Sequence, residues 1–396
     1  MAAEADLTLV LNGGSSSIKF AVYGPGDAPA RQLHGHLSRI GQPGAQLTFN
    51  EAAGAAPTTC PAPAPNPVAA ASFLLDWLAR HEVFARVGAV GHRVVFGGPV
   101  HQAPEVVTPA LLADLQQLTA YDPDHLPGAL ALLKALAERY PHLRQVACFD
   151  TDFHRTMPRV AQQLPLPRRF EAHGLRRYGF HGLSYAYLLE ELARRAGPAA
   201  ARGRVILAHL GSGASLAAVR GGQSQDTSMG FTPTAGLVMS TRPGDLDPGV
   251  AAYLLQYEQL TPKKFNHLIN HESGLLGVSE TSADMQELLA AQATDARAAE
   301  AVALFCYQAR KWVGAYAAVL GGLDTLVFAG GIGEHAAEVR ARICAGLEFL
   351  GIELDAAHNA THAAVISSAA SRVVVRVIPT DEERMIAQLV RRHLTP

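Results

Sequence analysis

Two stretches of this chain, almost 200 residues apart, share one pattern of apolar and small polar residues. Residues 7–24 read LTLVLNGGSSSIKFAVYG and residues 204–222 read RVILAHLGSGASLAAVRGG. In each, an apolar run predicts a strand, a Gly/Ser turn follows, and a second apolar run predicts the returning strand of a hairpin. Small residues in such turns let backbone N–H groups and hydroxyls face an anion. One turn of this kind is more simply explained as structural, but the repeat indicates a duplicated domain that holds a phosphorylated ligand between its halves.

The rest of the chain alternates between strand-like and helix-like patterns. Strands are predicted at 145–149, 325–329 and 372–378, and helices at 68–86, 128–140, 184–195, 248–259, 284–291, 297–320, 336–349 and 382–393. Residues 51–71 are rich in Ala and Pro without a period, so we interpret them as a solvent-exposed connection. Strands that alternate with helices in both halves predict an α/β protein with mixed sheets.

Composition narrows the class of protein. The 396 residues are 48% hydrophobic, enough for two or three domains with sizeable cores. The formal charge of −2 gives no electrostatic reason to expect nucleic acid or an anionic membrane as a partner. The four cysteines lack metal-ligand spacing. The N-terminus is acidic and runs directly into a strand, and the apolar segment 299–320 is interrupted by charges, so we expect a cytosolic protein with no signal peptide or membrane span.

A third glycine-rich turn follows the strand predicted at 325–329. The sequence GGIGE at 330–334 leads from this strand into a helix, where a ligand can approach the backbone at the positive end of the helix dipole. The motif is neither G-x-G-x-x-G nor G-x-x-x-x-G-K-[ST], so it is not a Rossmann or P-loop site. Together with the two hairpins, it is interpreted as the third wall of a nucleotide site.

Two arginines and one histidine stand in settings that favour an anionic ligand. Arg93 lies in GHRVVFGG, Arg242 in STRPGDLDPG and His181 in RRYGFHGLSY. The guanidinium fork matches a carboxylate or a phosphate and stays charged at any working pH. The alternatives are a solvated arginine and a structural histidine.

Carboxylates mark two further positions. Asp150 ends a buried strand in CFDTDFHRTMP, a position typical of catalytic carboxylates, although an aspartate there can also be a cap. Glu382 and Glu383 begin the last helix, where carboxylates ordinarily complement the dipole. Facing a ligand, one of them could hold Mg²⁺, which prefers oxygen ligands.

Taken together, these motifs resemble the acetate kinase family, within the actin-like ATPase superfamily of sugar kinases and heat-shock ATPases. The matching segments occur in the order of the family over essentially the whole chain: NGGSSSIKF, GHRVVFGG, FDTDFHRTMP, RRYGFHG, HLGSGAS, DTSMGFTP, TRPGDLDPG, AGGIGE and TDEERMIA. The resemblance implies duplicated actin-like (ribonuclease H-like) α/β domains with mixed sheets flanking a central cleft. The first domain would span 1–150 and recover the C-terminal helix 381–396; the second, nucleotide-binding domain would span 151–380.

The resemblance also implies reversible transfer of the ATP γ-phosphoryl group to acetate, with Mg²⁺ or Mn²⁺, by a homodimer. Arg93 and Arg242 would hold the carboxylate and the transferring phosphoryl group, His181 would stabilise that group, and Asp150 would orient the acceptor. Asn12 and Glu382 would serve the metal. Val95, Phe180 and Pro233 would shape a small acyl pocket. The phosphates and nucleotide would contact Ser15, Ser17, Lys19, His209, Leu210, Gly211, Ser212, Gly213, Asp284, Met285, Gln286, Gly331, Ile332, Gly333, Glu334 and His335.

The chain departs from the pattern of the family at several positions. Ser212 and His335 stand where asparagine is usual, and Gln286 stands where arginine is usual. Phe96 replaces a histidine, Leu183 and Tyr185 replace Thr and His after His181, and the family's His-Asn-Pro is His125-Leu126-Pro127, preceded by YDPD.

Four alternatives stay open at this point. They are the same chemistry on propionate or butyrate, a phosphoryl donor such as pyrophosphate, a non-catalytic nucleotide-binding regulator, and a sugar kinase. A sugar kinase would need a strong carboxylate base for a hydroxyl acceptor, whereas two arginines favour an acceptor that is already ionised. An additional methylene is worth only about 1–3 kcal/mol of discrimination, so the sequence alone does not fix the acid.

Overall fold

The computed structural model describes residues 6–14, 16–26, 29–51, 56–119 and 121–394. Its contacts divide the chain into two units. The first comprises Met1–Asp152 with Asp381–Pro396, and the second comprises Phe153–Thr380.

An eight-stranded mixed sheet forms the centre of the first unit. Its strands are β1 (Leu7–Gly13), β2 (Ile18–Tyr23), β3 (Arg31–Ser38), β4 (Gln46–Asn50), β5 (Thr58–Pro61), β6 (Val87–Val94), β7 (Glu105–Val106) and β8 (Arg144–Phe149), and they lie in the order β5-β4-β3-β2-β1-β6-β8-β7. Strands β1 to β5 pair antiparallel in sequence, whereas β6 is parallel to both β1 and β8. The helices of this part of the chain are α1 (Pro67–Leu78), α2 (Pro109–Leu118) and α3 (Leu126–Arg139), with a 3₁₀ turn at Glu82–Arg86.

The second unit contains a five-stranded mixed sheet. Its strands are β9 (Arg204–Leu210), β10 (Ala214–Arg220), β11 (Gln223–Thr227), β12 (Thr325–Ala329) and β13 (Val374–Val377), in the order β11-β10-β9-β12-β13. Its helices are α4 (Arg159–Gln162), α5 (Arg168–Glu171), α6 (Gly182–Ala196), α7 (Pro198–Arg202), α8 (Pro248–Gln256), α9 (Pro262–His267), α10 (Gly274–Ser279), α11 (Met285–Ala291), α12 (Ala296–Leu320), α13 (Gly330–His335), α14 (Ala337–Cys344) and α15 (Ala356–Ala360). The last helix of the chain, α16 (Glu382–Leu394), belongs to the first unit.

The two sheets share one topology. In the first unit, three antiparallel strands β3-β2-β1 continue into the parallel strands β6 and β8; in the second, β11-β10-β9 continue in the same way into β12 and β13. Both predicted hairpins therefore occupy equivalent places in their sheets. The predicted α/β class with two mixed sheets is confirmed.

Three predicted elements need correction. The interpretation of 51–71 as a solvent-exposed connection is wrong from residue 58 onward, because β5 pairs with β4, and α1 begins at Pro67 and buries Ala70 and Ala71; residues 52–55 are outside the described residues. The helix predicted at 68–86 ends at Leu78 and resumes only as a 3₁₀ turn. The helix predicted at 336–349 ends at Cys344, since Gly346 adopts a left-handed backbone with φ of 83°.

Along the described part of the chain, no helix is both long and apolar enough to cross a bilayer.

Candidate functional site

Arg93 is the centre of a polar cluster in the first unit. Strand β6 runs parallel to β1 and β8, with Arg93 beside Asn12 and Cys148. The carboxyl ends of parallel strands meet at one edge of a sheet, so three motifs distant in sequence come together there. Arg93 Nε and Nη2 both donate to Asp150 Oδ2, at 3.0 and 2.5 Å, and Nη1 donates to Asn12 Oδ1 at 3.1 Å.

The first turn of α16 completes this cluster. Glu382 Oε2 lies 4.0 Å from Arg93 Nε, and Asn12 Nδ2 donates to Glu383 Oε1 at 3.4 Å. The helix is held from its beginning, because Asp381 accepts hydrogen bonds from the Tyr23 hydroxyl at 3.1 Å and from Arg31 at 2.9 Å. The C-terminal helix thus supplies two carboxylates to a cluster formed by strands of the same unit.

Burial sets the electrostatics of this cluster. Burial alone would lower the pKa of Arg93. The nearby Asp150 and Glu382 carboxylates outweigh this effect and raise the pKa of Arg93 above its usual range. Burial raises the pKa of Glu382 above its usual range; Arg93 opposes this rise, and the Asp150 and Glu383 carboxylates add to it. Asp150 is fully buried, and its Oδ1 has no hydrogen-bond partner among the described residues. One arginine therefore neutralises several carboxylates that are withdrawn from water.

The residues predicted to contact phosphates lie at the hairpin of β1 and β2. Lys19 stands opposite Asn12 in the pairing of these strands and is exposed. The backbone of Ser17 accepts a hydrogen bond from the Gly14 N–H at 2.8 Å, which closes the turn. Ser15 lies outside the described residues. Val95 is buried immediately after β6.

Two imidazoles and a guanidinium meet at the second hairpin, in the other unit. The His181 ring stacks on His209, with centroids 4.3 Å apart, and its Nδ1 lies 2.8 Å from Ser215 Oγ. A Cβ atom at Gly213 would lie 2.9 Å from Arg242 Nη2 and 3.2 Å from His181 Nε2. A side chain at this position would displace the Arg242 guanidinium, and the two nitrogen groups converge on the turn.

Neighbouring backbone groups hold Arg242 and the turn in place. The Pro233 carbonyl accepts from Arg242 Nη1 at 2.6 Å. The Gly211 N–H donates to the Gly213 carbonyl, and the Ser212 carbonyl accepts from the Ser240 N–H. Phe180 precedes His181 and is buried.

The third glycine turn lies directly against the second hairpin. Gly330 has a φ of 76°, and a Cβ there would lie 2.7 Å from the Leu210 carbonyl. Glu334 Oε1 accepts from the Gly330 N–H at 2.9 Å and from the Thr380 N–H at 3.1 Å, so this carboxylate braces the turn. The fully buried Arg340 donates to the carbonyls of Gly333 and Glu334, both at 2.9 Å. Gly331–Gly333 are therefore fixed from both sides.

The remaining predicted nucleotide residues lie at helix ends. Asp284 caps α11 by accepting from the N–H groups of Gln286 and Glu287, at 2.7 and 3.2 Å. The Met285 side chain is buried, whereas Gln286 is exposed. His335 ends α13 and is also exposed, with its ring 6.2 Å from that of His362.

Comparison with known proteins places this geometry in a family. The model of the acetokinase family matches residues 7–388. The chain belongs to the acetokinase family. An acetate kinase from Rhodopseudomonas palustris is 44% identical to it over 394 residues, which cover 98% of each sequence.

Solved structures give the same result. The acetate kinase of Porphyromonas gingivalis matches with a TM-score of 0.89 and 37% identity, covering 98% of this chain and 100% of that one. A propionate kinase from Francisella tularensis matches with a TM-score of 0.91 and 34% identity, covering 98% and 99%. The expectation of an actin-like fold, drawn from the motifs, is confirmed by this similarity to acetokinase-family structures.

Sequence reasoning missed the side chains that support the two imidazoles. Ser184 Oγ bridges His209 Nδ1 and Thr380 Oγ1, at 2.8 and 2.7 Å, and Ser215 Oγ lies between His181 and the Tyr185 hydroxyl. Ser184 and Tyr185 lie in the HGLSY segment that carries His181, so the first turn of the predicted helix gave a local signal. Ser215 and Thr380 are distant in sequence from this segment, and the fold brings them to the supporting side chains.

The segment around His125 also shows an arrangement that the sequence did not reveal. His125 Nδ1 lies 2.7 Å from Asp122 Oδ1, just before α3. Asp122 is buried, and its Oδ2 has no hydrogen-bond partner among the described residues. The unusual YDPD of this acetokinase-family member therefore provides a carboxylate partner for the histidine.

Proposed function

We propose that this protein transfers the γ-phosphoryl group of ATP to acetate, producing acetyl phosphate and ADP, in a reversible reaction. The observation that supports this most directly is the convergence of Arg242 Nη2 and His181 Nε2 on the tight turn at Gly213. Two nitrogen donors aimed at a backbone turn suit a phosphoryl group, whose equatorial oxygens carry the charge in the transition state.

Arg93 is proposed to bind the carboxylate of the acceptor. Its guanidinium is oriented by Asp150 and Asn12, which fixes the direction of the remaining N–H groups. Val95, Phe180 and Pro233 are proposed to contact the methyl group. Their apolar atoms suit a short acyl chain.

Asp150 acts as a positioning residue in this proposal. An acetate acceptor is ionised at neutral pH, so direct in-line displacement needs no strong general base. The close contact of Asp150 Oδ2 with two nitrogens of Arg93 supports a role in holding that side chain. Alignment of the two substrates and positive charge then supply most of the catalysis.

Asn12 and Glu382 are proposed to serve Mg²⁺. The described residues contain no group of three or more His, Cys, Asp or Glu side chains that could hold a metal ion. Mg²⁺ commonly takes one or two protein oxygen ligands and completes its shell with substrate phosphates and water, which fits one carboxylate and one amide. When bound, the ion neutralises charge on the phosphate oxygens.

The nucleotide is proposed to lie along the second hairpin and the Gly330–Glu334 turn. A Cβ at Gly331 would meet nothing within 4 Å, and a Cβ at Gly211 would lie 3.9 Å from the Gly331 backbone nitrogen, so Gly331 offers open backbone beside the second hairpin. His209–Gly213 and Gly331–His335 would line the phosphates and ribose, with Asp284–Gln286 near the base. Gln286 stands where the family usually has arginine. The selectivity for ATP is therefore tested separately, by comparing ATP with other phosphoryl donors.

A hydroxylamine trap for acyl phosphate tests the proposal. The purified protein with Mg²⁺ is assayed with acetate, propionate and butyrate, each combined with ATP, GTP and pyrophosphate. Hydroxamate with acetate and ATP supports the proposed reaction. A signal confined to propionate would favour the specificity named for the Francisella tularensis relative. Absence of signal in every combination, with nucleotide binding retained, would instead support a non-catalytic regulator.

We further propose that two copies of this chain associate through α8. None of the nine residues of this helix is buried, although its sequence PGVAAYLLQ is largely apolar. Tyr253 is 54% exposed, and Val250 and Leu255 are 40% and 38% exposed. A surface of this kind marks an interaction site, and the resemblance implies a homodimer.

Sedimentation velocity tests the dimer. The wild-type protein is expected to sediment as a dimer and Tyr253→Glu as a monomer, with Val68→Glu, an exposed position in the first unit, as the control. A monomeric wild-type protein would contradict the proposal.

The four cysteines, all free, suit a reducing compartment, and we propose that the protein acts in the cytoplasm.

A further inference from the structure

Tyr185 is a fully buried tyrosine on the same helix as the proposed phosphoryl-binding histidine. It lies in the first turn of α6, four residues after His181. Its hydroxyl forms a close hydrogen bond with Ser215 Oγ, which lies 2.8 Å from His181 Nδ1. The three side chains thus form one hydrogen-bonded row that ends at the imidazole.

The protons of this row can be arranged in one way that gives each hydroxyl an acceptor. Tyr185 and Ser215 carry one hydroxyl proton each, and among the described residues Ser215 Oγ bonds only to Tyr185 and His181. If His181 Nδ1 donated to Ser215, one of the two hydroxyl protons would have no acceptor within the row. An unsatisfied buried donor is unfavourable, because it has lost its hydrogen bond to water without gaining another. In the favoured arrangement, the Tyr185 hydroxyl donates to Ser215 Oγ, and the Ser215 hydroxyl donates to His181 Nδ1.

Tyr185 is suited to donate permanently. Burial raises the pKa of its hydroxyl well above the usual range, although the hydrogen bonds with the Ser215 side chain and with the His209 backbone oppose the shift. The group therefore keeps its proton at any pH at which the protein works. Because Tyr185 keeps its proton, its hydroxyl can donate to Ser215, and the Ser215 hydroxyl then donates to His181.

We propose that Tyr185 is a positioning residue which, through Ser215, fixes His181 as the tautomer with its proton on Nε2. This inference rests on the proposed function, because it concerns how His181 meets the phosphoryl group. The Nε2–H then lies on the side of Gly213, where Arg242 Nη2 also approaches. Both groups present N–H donors, and an acceptor nitrogen in that place would repel a phosphoryl oxygen.

Stacking orients the His181 ring, whereas the hydrogen-bonded row acts on its tautomer. The ring is stacked face to face on His209, at an interplanar angle of 26°, and stacking restrains the plane of the ring without selecting a nitrogen for the proton. The backbone of His181 adopts a left-handed φ of 60°, which directs the side chain from the beginning of α6. Geometry is thus set by backbone and stacking, and the identity of the donor nitrogen by Ser215 and Tyr185.

Tyr185→Phe removes the hydroxyl and keeps the ring. The expected result is a loss of about 10-fold in kcat, the effect of one hydrogen bond in a polar network, with the KM values for acetate and ATP within about twofold of wild type. Tyr316→Phe is the matched control, because Tyr316 is equally buried in the same unit and its hydroxyl has no hydrogen-bond partner among the described residues. The control is expected to keep wild-type kcat.

A spectroscopic measurement separates tautomer control from a merely structural effect. With ¹⁵N-labelled histidine, the wild-type protein should show His181 with a protonated Nε2 and an unprotonated Nδ1, and the signal is assigned by its loss in His181→Gln. Tyr185→Phe and Ser215→Ala should both show a mixture of tautomers while melting within a few degrees of wild type.

The possible outcomes are distinct. Wild-type protein that makes no acyl phosphate would refute the proposed function, whereas the tautomer measurement would still test the row itself. An active wild type with unchanged kcat and tautomer in both variants would overturn the inference. A wild-type His181 protonated on Nδ1 would also overturn it, whatever the kinetics.

Discussion

Arg93 and Asp150 form an ion pair in which two guanidinium nitrogens contact one carboxylate oxygen. Both Nε and Nη2 approach Asp150 Oδ2, and Asp150 Oδ1 is buried with no hydrogen-bond partner among the described residues. A buried pair of this geometry orients its arginine strictly, and removal of one partner leaves an uncompensated charge. The pair is therefore a determinant of where the remaining Arg93 N–H groups point.

Asp150→Asn is expected to reduce kcat by roughly 10²–10³-fold, because Arg93 would lose its anchor. In a double-mutant cycle with Arg93→Lys, the two losses should be strongly non-additive, since both changes break the same contact. The measurement is kcat of the four proteins in the acyl phosphate assay. Strictly additive losses would mean that Asp150 acts independently of Arg93.

Arg242→Ala is expected to lower turnover by roughly 10²–10⁴-fold, by analogy with the loss of other groups that stabilise a transition state. Arg220→Ala is the control, because Arg220 is an exposed arginine at the end of β10 in the same unit. Turnover within threefold of wild type in Arg242→Ala would show that this guanidinium does not act on the transferring group.

The sequence predicted the strands best where its apolar pattern was clear, above all in the repeated strand–turn–strand segments. The two hairpins and the apolar run at 325–329 predicted the positions of their strands well, because each strand is a largely buried, mostly apolar segment. Strand β5 was missed because TTCP is neither apolar nor alternating and pairs only at the edge, through β4. The partner strand, rather than its own residues, makes it a strand.

The candidate site was predictable as a set of residues but not as a set of contacts. The motifs named Arg93, Asp150 and Glu382, yet the pairing of two Arg93 nitrogens with one oxygen depends on strand register. From the sequence, Tyr185 could be identified only as a residue of a predicted helix that stands where the family usually has histidine. Its role depends on Ser215, which strand β10 brings from 30 residues away.

Acid is expected to destabilise the protein as the pH falls from about 6.5 to about 4. Burial lowers the pKa of His92 and of His154 to about 4, although hydrogen bonds to Gln145 and to the Phe180 carbonyl oppose the shift. In the unfolded chain both histidines bind protons near pH 6.5, whereas the folded state does not bind them until about pH 4. Protons therefore favour the unfolded state across this window, by up to about 3 kcal/mol for each histidine.

Urea unfolding at pH 7.5, 6, 5 and 4.5 measures this effect. The double variant His92→Leu/Gln145→Leu removes the imidazole and its partner, which lie 2.8 Å apart, so that neither is left unsatisfied. Its loss of stability on acidification should be smaller than that of the wild type. An unchanged pH dependence would show that His92 is protonated in the folded protein.

Mg²⁺ is expected to bind weakly alone and tightly with nucleotide. The chain offers Asn12 and Glu382 as oxygen ligands, and phosphates must supply others. Isothermal titration of Mg²⁺ into the protein with and without ADP checks this, and EDTA should abolish acyl phosphate formation. In Glu382→Gln the gain in Mg²⁺ affinity on adding ADP should shrink; an equal gain would remove Glu382 from the metal site.

Two glycine-to-alanine substitutions should have opposite effects. Gly128 lies in the first turn of α3, and a Cβ there would meet the Gly14 carbonyl at 2.9 Å, so that α3 and the turn after Asn12 would have to move apart. Gly314 lies within α12, and a Cβ there meets nothing within 4 Å. Gly314→Ala should therefore stabilise the protein by about 0.4–1 kcal/mol through the unfolded chain, with kcat unchanged. Gly128→Ala should lower both kcat and the melting temperature, and a variant with wild-type kcat would mean that the packing of α3 on this turn does not position Asn12.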